Sequence, residues 1–296
     1  MSSQLQASST KLPAVDEATI SKFRDQVKSI ALYKTYELRT DDDFLIRFLR
    51  MNKNNVQAAV KSLIAYYQML LNLPRSKDFT QGTKEDRAWL IETLTKIDKD
   101  AKEKFKIEYP MFAFYGQDKK GRGIIGFDVG ASAPFLEYPN FLDASLYGST
   151  LVFDHLLETY DFSQEPGIVF IDDWGKFNLK MFTFYMKNPA FVRNFSASTG
   201  TMPMNMTKYY VINGPTLLTT MYNAFKIFLP QSIKDKMCFT GNTKAVVEEI
   251  GKDGLPYFLK GPRKHVMAGE DIDVDKQLMK IFPRKRQIQE ESFEVI

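Results

Sequence analysis

The sequence predicts an all-helical N-terminal domain followed by an α/β domain. Between residues 16 and 100 the apolar side chains recur three or four positions apart, which is the period of an amphipathic helix. From about residue 101, short apolar runs alternate with helical stretches, as they do where helices cover a sheet. The 296 residues, 44% of them hydrophobic, suffice for cores of this size. We assign the parts as a flexible N-terminus 1–15, a helical domain 16–100, an α/β domain 101–265 and a C-terminal tail 266–296.

Capping residues mark the helices of the N-terminal domain. Thr40 is followed by three aspartates, and side-chain oxygens and acidic groups stabilise the first turn of a helix. Asn54–Asn55 can cap the next helix, which Pro74 is expected to end. Together with the periodic run from Asp16, these signals predict a small unit made of helices.

The α/β domain begins with strand-like runs at Tyr109–Tyr115 and Ile124–Val129. Gly121–Gly126 fits the dinucleotide pattern G-x-G-x-x-G, but that motif requires a strand before it and a helix after it. Here a turn precedes the glycines and a β-branched strand runs through them, so we predict a hairpin. The later elements are a helix at 141–160, a strand at 168–171, a helical region at 176–197, a strand at 209–212, a helix at 216–229 and a strand at 237–240.

Composition and motifs narrow the function classes. The formal net charge of +4 is mild and argues against nucleic-acid binding. Cys238 is the only cysteine, and the two histidines lack the spacing of a metal site. Adjacent acids such as Asp172 and Asp173 point apart on a strand, and no nucleophile elbow or phosphate loop occurs. We therefore expect neither an enzyme nor a cofactor.

The N-terminal residues contain no apolar segment of the kind that a signal peptide needs. No run of about 18 apolar residues is present to span a bilayer. These observations predict a cytoplasmic protein.

The segment Asn213–Pro230 has a wide apolar face with polar residues opposite it. A core helix would show the same pattern. The alternative is a mobile gate, since such a face leaves water either over an apolar cavity or in a membrane interface. Each large apolar side chain gains about 1.5–3 kcal/mol in either place, so exchange between the two costs little.

Several motifs resemble those of the CRAL-TRIO family. They are Asp43–Arg50 with Val56–Ala59, the hairpin Asp118–Arg122, Asp172–Gly175 after a buried strand, Ile212–Pro215 and Phe228–Lys234. The resemblance covers about residues 20 to 262 in the family's order. The family's L-P-x-E-Y-G-G ending reads differently at Leu255–Gly261, so the chain resembles a divergent member.

The resemblance implies a helical domain beside an α/β domain that encloses one apolar ligand, such as a tocopherol or a retinoid, under a mobile gate helix. It implies transfer of that ligand between membranes by a monomer that associates peripherally with a membrane surface. The alternative is a lipid-sensing or scaffold module that binds its ligand, for example a phosphoinositide, without transporting it.

Aligned with the tocopherol-carrying branch of the family, Ser145 and Ser149 fall near the hydroxyl head of the ligand. The other implied cavity positions are Leu142, Leu146, Ile171, Phe184, Val192, Phe195 and Met204. The implied gate positions are Leu217, Met221, Phe225 and Phe228. In the region of the family's phosphoinositide patch this chain has Lys208, Lys234 and Lys236, a reduced basic set that predicts at most weak binding of anionic lipid.

Overall fold

The structure is a computed structural model, and it describes residues 14–73 and 83–286. Most of the predicted flexible N-terminus, Pro74 as the end of a helix, and the tail beyond residue 286 lie outside the described residues. The predicted fold class is confirmed, because a helical N-terminal part precedes an α/β layer.

Side-chain caps begin most of the helices in the N-terminal part. The helices are α1 (Glu17–Ser29), α2 (Ala31–Thr35), α3 (Asp42–Met51), α4 (Val56–Asn72) and α5 (Lys84–Glu103). Asp41 caps α3 by accepting a 3.1 Å hydrogen bond from Phe44 N, so Asp41 and not Thr40 is its N-cap. Asn55 caps α4 as predicted, and its side chain accepts a hydrogen bond from the backbone of Ala58.

Most strands belong to a single mixed sheet. They are β1 (Tyr36–Glu37), β2 (Phe112–Gln117), β3 (Gly123–Asp128), β4 (Ile168–Asp173), β5 (Met206–Ile212), β6 (Met237–Thr240), β7 (Met267–Ala268) and β8 (Arg284–Lys285). The main sheet has the order β6-β5-β4-β3-β2-β7, while β1 and β8 form a separate pair. Strands β3 to β6 run parallel, and β2 joins β3 in an antiparallel hairpin.

The hairpin between β2 and β3 confirms the interpretation of the glycine pattern. Arg122 Nη2 donates a 2.6 Å hydrogen bond to Asp118 Oδ2 across the turn, and both side chains are buried. Gly121 at the turn has a φ of 79°, a left-handed conformation that favours glycine.

The helices beyond β3 follow the predicted order with two differences. They are α6 (Phe141–Tyr160), α7 (Leu179–Lys187), α8 (Pro189–Thr201), α9 (Thr216–Phe225), α10 (Gln231–Lys234), α11 (Lys244–Ile250) and α12 (Val274–Ile281). The region predicted as helical over 176–197 is broken at Asn188 because Pro189 disfavours helical geometry in the residue before it. The helix predicted over 216–229 is α-helical to Phe225 and continues as one 3-10 turn over Lys226–Phe228.

The residues assigned to a C-terminal tail are packed into the fold as far as residue 286. Strand β7 extends the sheet beside β2, and α12 packs on α5 and α6. Leu278 and Ile281 of α12 are buried, and Gln277 Nε2 donates a 2.8 Å hydrogen bond to the buried Asp154 carboxylate. In the described part of the chain no helix has both the length and the apolarity needed to cross a bilayer.

Candidate ligand cavity

A cavity of about 210 Å³, which we call the main cavity, lies between one face of the sheet and the helices α6, α8 and α9. Its wall is almost entirely apolar. Prominent lining residues are Phe112, Phe127, Phe195, Val211, Met221 and Phe225.

Strand alternation decides which residues reach the cavity. Successive side chains of a strand point to opposite faces, so Phe170 and Asp172 of β4 point to the cavity side while Val169 and Ile171 point away. We call the cavity side the front face of the sheet and the opposite side the back face. A separate apolar core that includes Ile250 of α11 covers the back face.

Asp172 is the acidic residue in this apolar wall. Its carboxylate is buried and accepts a 2.5 Å hydrogen bond from Tyr209 Oη. Burial raises the pKa of Asp172 to about 7, and the hydrogen bond from Tyr209 opposes that rise. The Trp174 indole N–H also favours the ionised carboxylate, yet it is buried and makes no hydrogen bond of normal geometry in the described residues. Asp172 and Tyr209 therefore give the cavity a polar end with hydrogen-bonding capacity.

Two serines of α6 form a second polar position. Ser149 Oγ donates a 3.1 Å hydrogen bond to the Leu146 carbonyl oxygen, which satisfies it within the helix. Ser145 lines the cavity, and the described residues offer its hydroxyl no hydrogen bond. A ligand hydroxyl or carbonyl group could bond Ser145 without breaking a contact within the protein.

The structure places the implied site residues in two groups. Ser145, Ser149, Val192 and Phe195 line the main cavity, as do the gate residues Met221 and Phe225. The implied residues that do not line it are Leu142, Leu146, Ile171, Phe184, Met204, Leu217 and Phe228.

Local geometry explains these placements. Ile171 lies on the back face because it alternates with Asp172 along β4. Leu146 and Met204 are buried in the front core beside the cavity, while Leu142 and Phe184 pack partly buried against that core.

At the gate, neighbouring residues line the cavity in place of Leu217 and Phe228. These neighbours are Leu218 and Leu229. Sequence reasoning missed Asp172 as a cavity residue, although its position directly after an apolar run was visible.

Helix α9 has the two faces that its sequence predicts. Leu218, Met221 and Phe225 are buried against the cavity, whereas Thr219 and Asn223 are exposed. The inner face is held by apolar contacts, which are non-directional.

Of the three lysines implied as an anionic-lipid patch, Lys208 lies in β5, while Lys234 ends α10 and Lys236 directly precedes β6. Tyr209 N donates a 3.0 Å hydrogen bond to the carbonyl oxygen of Lys236, which brings Lys236 beside Lys208. Lys208 is exposed, Lys234 and Lys236 are half-buried, and none of the three has an ion pair within the described residues.

Comparison with known proteins agrees with this fold. The family model described as CRAL/TRIO domain matches residues 107–261, more than half of the chain. The CRAL-TRIO domain-containing protein YKL091C of Saccharomyces cerevisiae is 25% identical over 248 residues, covering 78% of this chain and 74% of that protein. The crystal structure of Sfh5 superposes with a TM-score of 0.51 at 12% identity, covering 90% of this chain and 97% of that chain, and this likeness concerns the fold alone.

The family match defines a lipid-binding class of protein. The chain belongs to the CRAL/TRIO domain family, whose members bind lipophilic ligands and transfer them. Its low identity to the yeast relative makes it a divergent member.

Proposed function

We propose that this protein encloses one hydrophobic, lipid-like molecule, such as a tocopherol or a retinoid, and transfers it between membranes. The observation that carries the proposal is an apolar cavity with isolated polar groups at Ser145 and Asp172. Such a pattern is typical of small-molecule sites, where apolar walls give affinity and a few polar groups select the ligand.

The size of the main cavity supports a mobile gate. About 210 Å³ is below the range of about 300–1,000 Å³ common for ligand sites, so a tocopherol would have to displace part of the wall. Helix α9 is the natural part to move, because α9 contributes Leu218, Met221 and Phe225 to that wall, and Leu229 follows it after one 3-10 turn.

The surface around α9 supports contact with a membrane. Ile227, in the 3-10 turn that follows α9, is 75% exposed, and Leu179 on the adjoining α7 is 68% exposed. Met186 is a further exposed apolar residue of α7, and Lys187 beside it is exposed as well. Exposed apolar side chains accompanied by lysines suit the headgroup region of a bilayer.

The patch of Lys208, Lys234 and Lys236 is proposed as a weak site for anionic lipid. Each lysine near a negatively charged leaflet contributes about 1 kcal/mol of attraction, so three of them bias orientation more than they anchor the protein. This proposal corresponds to a cytoplasmic monomer that visits membrane surfaces and leaves them again.

Ligand content is the direct test. The purified protein is extracted for mass spectrometry, and the lipid-free protein is then incubated with vesicles carrying α-tocopherol or retinal. We expect one molecule of lipophilic cargo per chain. The variant Val192→Trp fills the main cavity and should abolish uptake, while Arg193→Trp on the exposed side of α8 should leave it unchanged. Equal uptake by both variants would contradict the proposed cavity.

Transfer is tested separately from binding. Donor vesicles carry a fluorescent tocopherol, acceptor vesicles carry a quencher, and the rate of quenching is measured with catalytic amounts of protein. Ile227→Ser should slow transfer without changing equilibrium binding, whereas Val266→Ser, which alters an exposed apolar residue next to β7, should not. Tight binding with no stimulated transfer by the unaltered protein would instead favour a lipid-sensing module.

A further inference from the structure

A second cavity, of about 530 Å³, lies beside the main cavity, between α5, α6 and the segment 268–275. We call it the side cavity. Its apolar wall includes Ile91, Leu94, Ile97, Ile107, Leu151 and Val152. Unlike the main cavity, it falls within the range of about 300–1,000 Å³ common for ligand sites.

The two cavities share a wall. Met111, Phe112, Ser145 and Ser149 line both of them, so these side chains lie between the two spaces. Two of the four are small, and Met111 is an unbranched side chain that can adopt several shapes. These small and adaptable side chains make this wall the easiest boundary to open between the two spaces.

Helix α6 has a glycine, Gly148, next to the shared wall. Gly148 faces the side cavity between the two serines, and a Cβ atom there would lie 3.1 Å from Leu94 Cδ2. Glycine inside a helix is unfavourable by about 1 kcal/mol relative to alanine. At this position the missing side chain lets Leu94 of α5 approach α6 closely, so Leu94 forms part of the wall of the side cavity.

We propose that the side cavity receives the distal hydrocarbon chain of the ligand, which passes from the main cavity between Ser145 and Met111. This inference rests on the proposed function, because it assumes that the ligand occupies the main cavity. It specifies the ligand further, as a molecule with a compact part and a long chain. The main cavity alone is too small for such a molecule, whereas the two cavities together accommodate it.

The rim of the side cavity is charged. Lys102 Nζ lies 3.1 Å from Asp98 Oδ2 within α5 and also pairs with Glu270, and Arg87 pairs with Asp275. The pairs with Glu270 and Asp275 tie α5 to the C-terminal segment. The two pairs of Lys102 are solvent-exposed and contribute about 0–1 kcal/mol each, so their main effect is to place charge between the apolar wall and water.

Chain length provides the test. Binding of 1-octanol and 1-hexadecanol, both delivered from cyclodextrin, is measured by native mass spectrometry with the full chain. Leu94→Trp should fill the side cavity and weaken hexadecanol binding by more than about tenfold, because hydrocarbon burial contributes about 0.8 kcal/mol per methylene. Octanol binding should stay within about twofold, because a short chain fits the main cavity. Lys99→Trp, on the exposed side of α5, is the matched control.

A second cavity-filling variant shows whether a loss of binding by Leu94→Trp is due to misfolding, and photolabelling locates the bound chain directly. Ile91→Trp fills the side cavity from another position of α5 and should reproduce the effect of Leu94→Trp; thermal unfolding checks the folding of both. In the unaltered protein, hexadecanol with a terminal diazirine should label residues 91–107 on photolysis, as mapped by peptide mass spectrometry.

The outcomes separate the two proposals. If octanol and hexadecanol bind and both variants retain hexadecanol binding, or if the label lies only in residues 206–239, the side-cavity proposal is wrong and the proposed function stands. If neither alcohol, tocopherol nor retinal binds the unaltered protein, both proposals are wrong.

Discussion

On β4, Val169 and Ile171 point to the back face of the sheet, while Phe170 and Asp172 point to the front face. The back face is packed against its own core and contains close contacts such as that of Gly126 with the Phe258 ring. The front face encloses the main cavity and a buried carboxylate. One set of strands therefore supports a filled core on one side and the proposed ligand site on the other, and this comparison can be tested face by face.

The largest expected effect is a pH dependence of the free energy of unfolding, caused by Asp172. Folding raises the pKa of this carboxyl from 3.8 to about 7, so the folded chain holds the proton more tightly than the unfolded chain. Its contribution to stability is complete below about pH 4 and is lost as pH rises to about 7, a change of up to about 4 kcal/mol. Asp172→Asn should remove this dependence and make the protein more stable than the unaltered chain above pH 7.

Urea unfolding between pH 4 and pH 8 measures this effect. Burial also raises the pKa of Asp154, to about 6, but Asp154 is present in both proteins, so the difference between their curves reports Asp172. Two parallel curves would show that Asp172 ionises normally in the folded chain, and the polar end of the cavity would then be charged at neutral pH.

The next largest effect on stability comes from truncating one valine on each face of the sheet. Val169→Ala on the back face removes two methyl groups from a filled core and should lower the free energy of unfolding by about 2–3 kcal/mol. Val211→Ala on the front face should cost about 1 kcal/mol, because its side chain already borders empty space. Only Val211→Ala should change the affinity for tocopherol. Equal losses of stability would contradict the difference in packing between the faces.

The sequence predicted the fold further than it predicted the site. The bounds of α6 and β6 match the predicted helix 141–160 and strand 237–240, because turn residues and proline mark them locally. Strand β4 is apolar on both faces, so its pattern does not say whether Ile171 or Asp172 points to the cavity. The side cavity depends on how α5 packs against α6, a contact between segments that are distant in sequence.

A smaller effect on stability tests the close packing of the back face. A Cβ atom on Gly126 would lie 2.4 Å from Phe258 Cε1, so Gly126→Ala should force the ring to shift and cost about 1–2 kcal/mol. At Gly241 an added Cβ meets no atom within 4 Å, and Gly241→Ala should stay within about 0.5 kcal/mol of the unaltered protein. Thermal unfolding of the two variants makes the comparison, and similar melting temperatures would mean that the back face has room to adjust.

The smallest effect on stability belongs to the exposed apolar surface near α9. Leu179→Ser should change the free energy of unfolding by less than about 0.5 kcal/mol, because the side chain is 68% exposed and supports no core. It should nevertheless lower the fraction of protein that sediments with vesicles, since the same side chain is available to a bilayer. A loss of stability without a loss of vesicle binding would show that Leu179 supports the packing of α7. Membrane contact would then have to rest on Ile227 and the neighbouring lysines.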